Sequence, residues 1–228
     1  MRQLVLDLPV DPRFGPDDFL VSPSNEEAYT LLERWPDWPG PMLHLRRPAG
    51  SGKSHLAAIW AQRAGGPVLQ AREATAGVVA RLPASTAIVL ENLDQPPLPE
   101  ADLFHLLNIA RERRTFLLFT SAEPIERCGL QTPDLLSRLR LAPGVELHPP
   151  DDALLKAVLV KLFVDRQLVV DTSVVEFIAA RMERSLAHAA AIVAALDREA
   201  LSRGRRITRP VASALMAEID GEGSSTDG

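Results

Sequence analysis

Apolar positions along this chain follow two rules in succession. Up to about residue 150, short apolar runs alternate with segments of helical period; beyond it the period is helical throughout. The short runs Met42–Arg46, Val68–Gln70, Ala87–Glu91, 115–119 and 145–147 read as strands of a parallel sheet covered on both faces. Between them the pattern predicts helices ending near Ala64, over 73–82, over 100–112, and over a segment opened by Thr132-Pro133-Asp134. Another helix precedes the first strand. Ser24 is its expected cap, Glu26 and Glu27 complement its dipole, and it runs to about Arg34. The proline-rich turn 35–41 ends it, and Trp35 and Trp38 are expected to cover the edge of the sheet domain. After Pro149-Pro150, Asp151-Asp152 starts a helix with Leu154, Leu155, Val158, Leu159, Leu162 and Phe163 on one face. Three more follow, over about 172–182, 185–202 and from Thr208 to near Ile219; the small, polar residues 221–228 are expected to be disordered. The fold class is α/β: a five-stranded parallel core followed by an all-α domain. The expected boundaries are a segment 1–10, a linker 11–20, the core 21–150, the helical domain 151–219 and a tail 220–228.

Composition narrows the function classes. With 228 residues, 46% hydrophobic and 24% charged, the chain has material for an ordinary core and a smaller appendage. A formal net charge of −5 offers no strongly basic footprint for nucleic acid. Cys128 is the single cysteine, which excludes an intrachain disulfide and suits a reducing compartment. No apolar run approaches the ~18 residues of a membrane span, and Asp7 and Asp11 interrupt the start where a leader would need an apolar stretch. The expectation is a cytoplasmic protein with no membrane partner. His44, His55, His105, His148 and His188 are scattered without ligand spacing, and Cys128 has no evident base beside it.

The chemistry concentrates between the first strand and the helix after it, in Arg47-Pro48-Ala49-Gly50-Ser51-Gly52-Lys53-Ser54-His55. Glycines there let backbone N–H groups turn around phosphate oxygens, and the helix N-terminus adds positive potential. Lys53 is placed to reach the β- and γ-phosphates and the Ser54 hydroxyl to ligate magnesium. Arg47 stands where G-x-x-x-x-G-K-[ST] has its first glycine. The third apolar run ends in Glu91-Asn92, where a P-loop ATPase carries an acid for the metal and a second acid for the attacking water. Glu91 can serve the metal; Asn92 can hydrogen-bond a water but cannot take its proton. Asp94 is the nearest other carboxylate. Thr120-Ser121, ending the fourth run, either senses the γ-phosphate or caps the next turn. Nucleotide binding is better supported by this pattern than hydrolysis. At the chain start, Leu4, Leu6 and Leu8 alternate ahead of a polar, proline-containing stretch, which reads either as an extra edge strand or as a peptide for another protein's groove.

Several of these segments together resemble an AAA+ ATPase of the bacterial DnaA clade, over about residues 20–219: Gly50-Ser51-Gly52-Lys53-Ser54-His55-Leu56, Glu91-Asn92, Thr120-Ser121, Ser137-Arg138-Leu139 and the helical lid. Gln3-Leu4-Val5-Leu6-Asp7-Leu8 is similar to the peptide that binds the replicative sliding clamp. A clamp peptide joined to such a core, with no dedicated DNA-binding domain, resembles the Hda family of regulators. The resemblance implies a nucleotide-bound, clamp-bound negative regulator of replication initiation that stimulates ATP hydrolysis by DnaA. Arg138 matches the arginine finger acting in trans; Gln3, Leu4, Leu6 and Leu8 match the clamp contacts. ADP or ATP with Mg2+ would be the cofactor, and a homo-oligomer is possible. Ala187 aligns where the family carries a lid arginine; Arg184, one turn earlier, is the candidate substitute. The alternatives from other classes are a DnaA-like or helicase-loader ATPase acting on DNA, which wants an intact acidic pair, and a scaffold in which nucleotide only stabilises the fold.

Overall fold

A computed structural model describes residues 19–46, 50–82, 87–203 and 206–223. They cluster into two compact units that part between His148 and Pro149.

The first unit is built on five parallel strands. β1 (Met42–Arg46), β2 (Val68–Gln70), β3 (Ala87–Glu91), β4 (Phe116–Ser121) and β5 (Gly144–Glu146) lie in the order β2-β3-β4-β1-β5. β4 pairs with β1 from Met42↔Leu117 to Arg46↔Ser121 and with β3 from Ala87↔Phe116 to Leu90↔Phe119. Successive side chains leave opposite faces, so each strand feeds two cores. Ile88, Leu90, Leu117 and Phe119 pack with α4 (Glu100–Arg113) and α5 (Pro133–Leu139) on one side. Leu43, Leu45, Val89 and Leu118 pack with α1 (Glu26–Glu33) and α2 (Lys53–Ala64) on the other. Two covered faces explain why the strands read as continuous apolar runs rather than alternations.

Local details depart from the sequence expectations in four places. The residue before α1 is Asn25, not Ser24; Asn25 Oδ1 accepts from Ser22 N at 2.9 Å, while Ser24 Oγ lies 2.7 Å from Ser22 Oγ. The segment predicted as one helix over 73–82 is a 3-10 turn at Ala71–Glu73 followed by a single turn, α3 (Ala76–Val79). Gly77 and the β-branched pair Val78-Val79 give that stretch little intrinsic helicity. Trp35 and Trp38 pack on Trp60 and on Phe116, the first residue of the central strand, so they cover the lower end of the sheet rather than its edge. The last helix runs to Gly223, so residues 221–223 are helical.

The second unit comprises α6 (Asp152–Asp165), α7 (Thr172–Ala179), α8 (Leu186–Arg203) and α9 (Arg209–Gly223). Its core is built from Leu155, Leu159, Phe163, Ile178, Ile192 and Leu196. Asp151 and Asp171 cap α6 and α7, accepting from Leu154 N at 2.7 Å and Ser173 N at 2.8 Å. None of the described helices is long and apolar enough to cross a membrane.

Candidate functional site

Parallel strands deliver their C-terminal ends to one edge of the sheet, and ligands of such folds bind outside that edge. Here the edge collects Arg46, Gln70, Glu91, Thr120 and Ser121. β1 leads through the Gly-rich loop into α2. Gly50 (φ 77°) and Gly52 (φ 93°) are both left-handed, a backbone that a side chain would strain. Gly52 is the residue preceding α2, and its carbonyl accepts from Leu56 N at 3.0 Å. Lys53 opens the helix and is 8% exposed, Ser54 is exposed in its first turn, and Ser51 Oγ is buried without a partner. The His55 ring meets Phe19 edge-on at 5.3 Å, and Phe19 stacks on Tyr29 at 5.6 Å. Arg47, Pro48 and Ala49 lie outside the described residues.

Glu91 is 8% exposed. Its Oε2 accepts from Gln70 Nε2 at 3.2 Å, and its Oε1 is buried with no partner. An orphaned buried carboxylate oxygen beside a phosphate-type loop fits a hard divalent cation, which takes one or two carboxylates and completes its shell with phosphate and water. Among the described residues no cluster of three or more His, Cys, Asp or Glu stands ready to hold a metal by itself. Asn92 follows with φ 61°, its N–H donating to Thr120 Oγ1 at 3.1 Å and its Nδ2 to Gln70 Oε1 at 2.7 Å. Thr120 is fully buried, and its hydroxyl thereby orders the turn after β3. Asp94 Oδ2 accepts from Ala122 N at 2.9 Å, tying the same turn to the exit of β4.

Behind this edge lies a polar cluster that the sequence pattern did not reveal. His44, in mid-β1, is 3% exposed and has Nε2 2.6 Å from Ser121 Oγ. Ser121 spends its hydroxyl proton on the Glu123 carbonyl, so it accepts from His44 and fixes the Nε2–H tautomer. Burial, and then the Arg46 charge, push His44 down to about 4. Burial pushes the Cys128 thiol up to about 11, which suits packing rather than nucleophilic work.

Arg138 sits apart from the sheet edge, in the last turn of α5. Its Nη1 donates to Asn108 Oδ1, and its guanidinium lies 4.2 Å from the centre of the Phe104 ring. Both supports belong to α4. Among the described residues Arg138 has no carboxylate partner, whereas Arg140 is paired with Glu126 at 3.0 Å. Glu100 fixes the start of α5 by accepting from Gln131 N at 2.8 Å and Thr132 N at 2.7 Å. Desolvation opposes its charge, but those hydrogen bonds hold the carboxyl below its ordinary range. In the second unit, Arg184 donates to the Pro150 carbonyl at 3.2 Å and to Asp152 Oδ1 at 2.7 Å; Ala187 is exposed in the first turn of α8. Gln3, Leu4, Leu6 and Leu8 lie outside the described residues.

Comparison with known proteins agrees with this architecture. The family model described as the Hda lid domain matches residues 152–216. No curated protein matches the chain in sequence. Domain III of the replication initiation protein DnaA from Thermotoga maritima superposes with a TM-score of 0.76 at 16% identity, covering 92% of this chain and 98% of that one. AMPPCP-bound DnaA from Aquifex aeolicus gives a TM-score of 0.67 at 14% identity, covering 85% of this chain and 69% of its own. The RuvB Holliday junction branch migration motor of Thermotoga maritima gives 0.70 at 17% identity, covering 90% and 72%. The fold is that of an AAA+ core with a helical lid, and the lid is Hda-like.

Proposed function

We propose that this protein is a negative regulator of replication initiation, which holds an adenine nucleotide and lends Arg138 to the ATP site of DnaA while residues 1–10 tether it to the sliding clamp. The observation that carries the reading is Arg138: a guanidinium docked on a ring and an amide, with no local carboxylate among the described residues to neutralise it. Hydrolysis of ATP spreads negative charge over the γ-phosphoryl oxygens, and an arginine supplied in trans stabilises that charge. The Phe104 face and Asn108 pre-orient the side chain, so less rotamer entropy is lost when it meets a partner. The Hda-like lid and the DnaA-like fold support DnaA as that partner.

The chain's own nucleotide, ADP or ATP, is held by the loop 48–55. Backbone N–H groups around Gly50 and Gly52 would cradle phosphate, Lys53 would neutralise it, and Ser54 and Glu91 would hold Mg2+. That ion would neutralise phosphate charge and orient its oxygens. Thr120 orders the turn after β3 by accepting from Asn92 N–H. Arg184, paired with Asp152 at 2.7 Å, is the candidate lid arginine for the nucleotide. With Asn92 beside Glu91, no second acid is there to take a proton from water, and intrinsic turnover is low. The protein works in the cytoplasm and acts on DnaA.

The test is single-turnover hydrolysis by ATP-bound DnaA with clamp, DNA and this protein. Arg138→Ala is expected to lower the stimulation by about a thousandfold or more, with unchanged clamp capture and nucleotide affinity. Full stimulation by that variant overturns the finger.

A further inference from the structure

Glu100, Phe104 and Asn108 stand four residues apart on α4 and so share one stripe of the helix. All three touch α5 or the turn into it. Asn108 Oδ1 accepts from Arg138 Nη1, the Phe104 ring carries the Arg138 guanidinium, and the Glu100 carboxylate accepts from Gln131 N and Thr132 N. From Glu100 to Asn108 the stripe spans about 12 Å at the α-helical rise. α5 has only seven residues, too few to hold a helical shape alone, and Thr132 before it makes no side-chain cap hydrogen bond. Leu135 and Leu139 pack in the same core as Leu103 and Leu107. Apolar burial is non-directional, however, and leaves a short helix free to slide or roll on its neighbour. Directional contacts must fix it.

We infer that Glu100 is a positioning residue for Arg138: its carboxylate pins the start of α5 to α4, while Phe104 and Asn108 hold the other end. The inference rests on the reading of Arg138 as a finger supplied in trans. A carboxylate suits the place because each oxygen takes one N–H, Oε1 from Gln131 at 2.8 Å and Oε2 from Thr132 at 2.7 Å. Both N–H groups precede the helix, so Glu100 sets where the chain enters α5 and not whether α5 is helical. Without that pin, α5 can pivot about its Arg138 end, and the guanidinium meets the partner's phosphates off line. Transition-state stabilisation tolerates little of this, since an ångström of misplacement can cost about a hundredfold in rate.

The experiment is single-turnover hydrolysis by ATP-bound DnaA on clamp-loaded DNA, titrated with the full chain so that plateau and half-maximal concentration are read separately. Glu100→Ala is expected to lower the plateau about tenfold, with clamp capture and nucleotide affinity unchanged. Glu100→Gln keeps the size of the side chain and one of the two acceptors, and its plateau should fall between wild type and Glu100→Ala. A control separates positioning from helix stability. Thr132→Asp, added to Glu100→Ala, gives α5 a cap of its own without reaching α4. The urea midpoint of that double variant should recover while its plateau stays low. Recovery of the plateau along with the midpoint would make Glu100 a helix-stabilising residue and overturn the inference. A wild-type plateau in Glu100→Gln or Glu100→Ala would overturn it as well. A wild-type chain that does not stimulate DnaA overturns the underlying reading, and is told apart because it fails before any variant is compared.

Discussion

His44 lies in mid-strand at 3% exposure, a neutral imidazole donating to Ser121 in a place where a proton is unwelcome. Its ordinary value of 6.5 is lowered to about 4, chiefly by burial and then by Arg46, with Asp94 and Glu126 pulling weakly the other way. The unfolded chain therefore binds a proton below 6.5 that the folded chain refuses until about 4. A base lowered in the folded state takes stability away as pH falls through that window, by about 3 kcal/mol in all. Urea unfolding at neutral pH and at about pH 4.5 should show the wild type losing about 2 kcal/mol more than His44→Gln, which keeps a donor for Ser121 but cannot titrate. Equal losses would mean that protonation of His44 does not couple to unfolding. Nothing in the residue pattern singled out this histidine. A polar residue inside an apolar strand was the available signal, and its partner is 77 positions away. Gln70 carried a similar signal, as the polar end of β2, but its meaning depends on register with Glu91, which a single strand cannot reveal. The placement of Lys53 at the start of α2 and of Glu91 at the end of β3 was legible because motif spacing sets it.

Elements were read best where their period was long and least where a turn competed with it. The five strands and the helices α2, α4, α6 and α8 follow from apolar runs and 3.6-residue periods. The stretch 73–82 broke up because Gly77, Val78 and Val79 give it little intrinsic helicity, and α6 proved apolar on its outer side too, with Val160 48% and Val164 66% exposed. The placement of Trp35 and Trp38 was misjudged because it depends on which strand is central, and strand order is not written in local pattern. Between α2 and β2 the chain makes a turn that only glycine permits. Gly65 takes φ 65°, and a Cβ on Gly66 would stand 2.3 Å from the Ala87 carbonyl oxygen at the start of β3. That contact is with backbone, so no side chain can move aside. Gly66→Ala should force β2 away from β3 and cost about 3 kcal/mol, the upper end of overpacking penalties. The measurement is the urea midpoint. Because β2 carries Gln70, magnesium-dependent nucleotide binding should weaken in the same variant; an unchanged midpoint would mean the turn relaxes freely.

At the scale of the whole molecule, the proposed activity depends on separate parts that fail in different ways. On the proposed reading Arg138 supplies charge to a partner's phosphates, and no concentration of protein lacking it can replace that charge. On the same reading the segment 1–10 supplies only proximity. A tether of this kind raises the local concentration of the finger near clamp-associated DnaA to the millimolar range, about 10²-fold or more above free protein, without adding any contact to the reaction itself. The two defects should therefore separate along the concentration axis. Gln3→Ala is expected to lose capture on immobilised clamp and to shift half-maximal stimulation of DnaA hydrolysis to about a hundredfold higher protein, with the plateau unchanged. Arg138→Ala is expected to keep clamp capture and show no plateau at any concentration. Gln3→Ala with a lowered plateau would mean that the segment takes part in the reaction geometry, and undiminished clamp capture by that variant would remove the tether from the mechanism altogether.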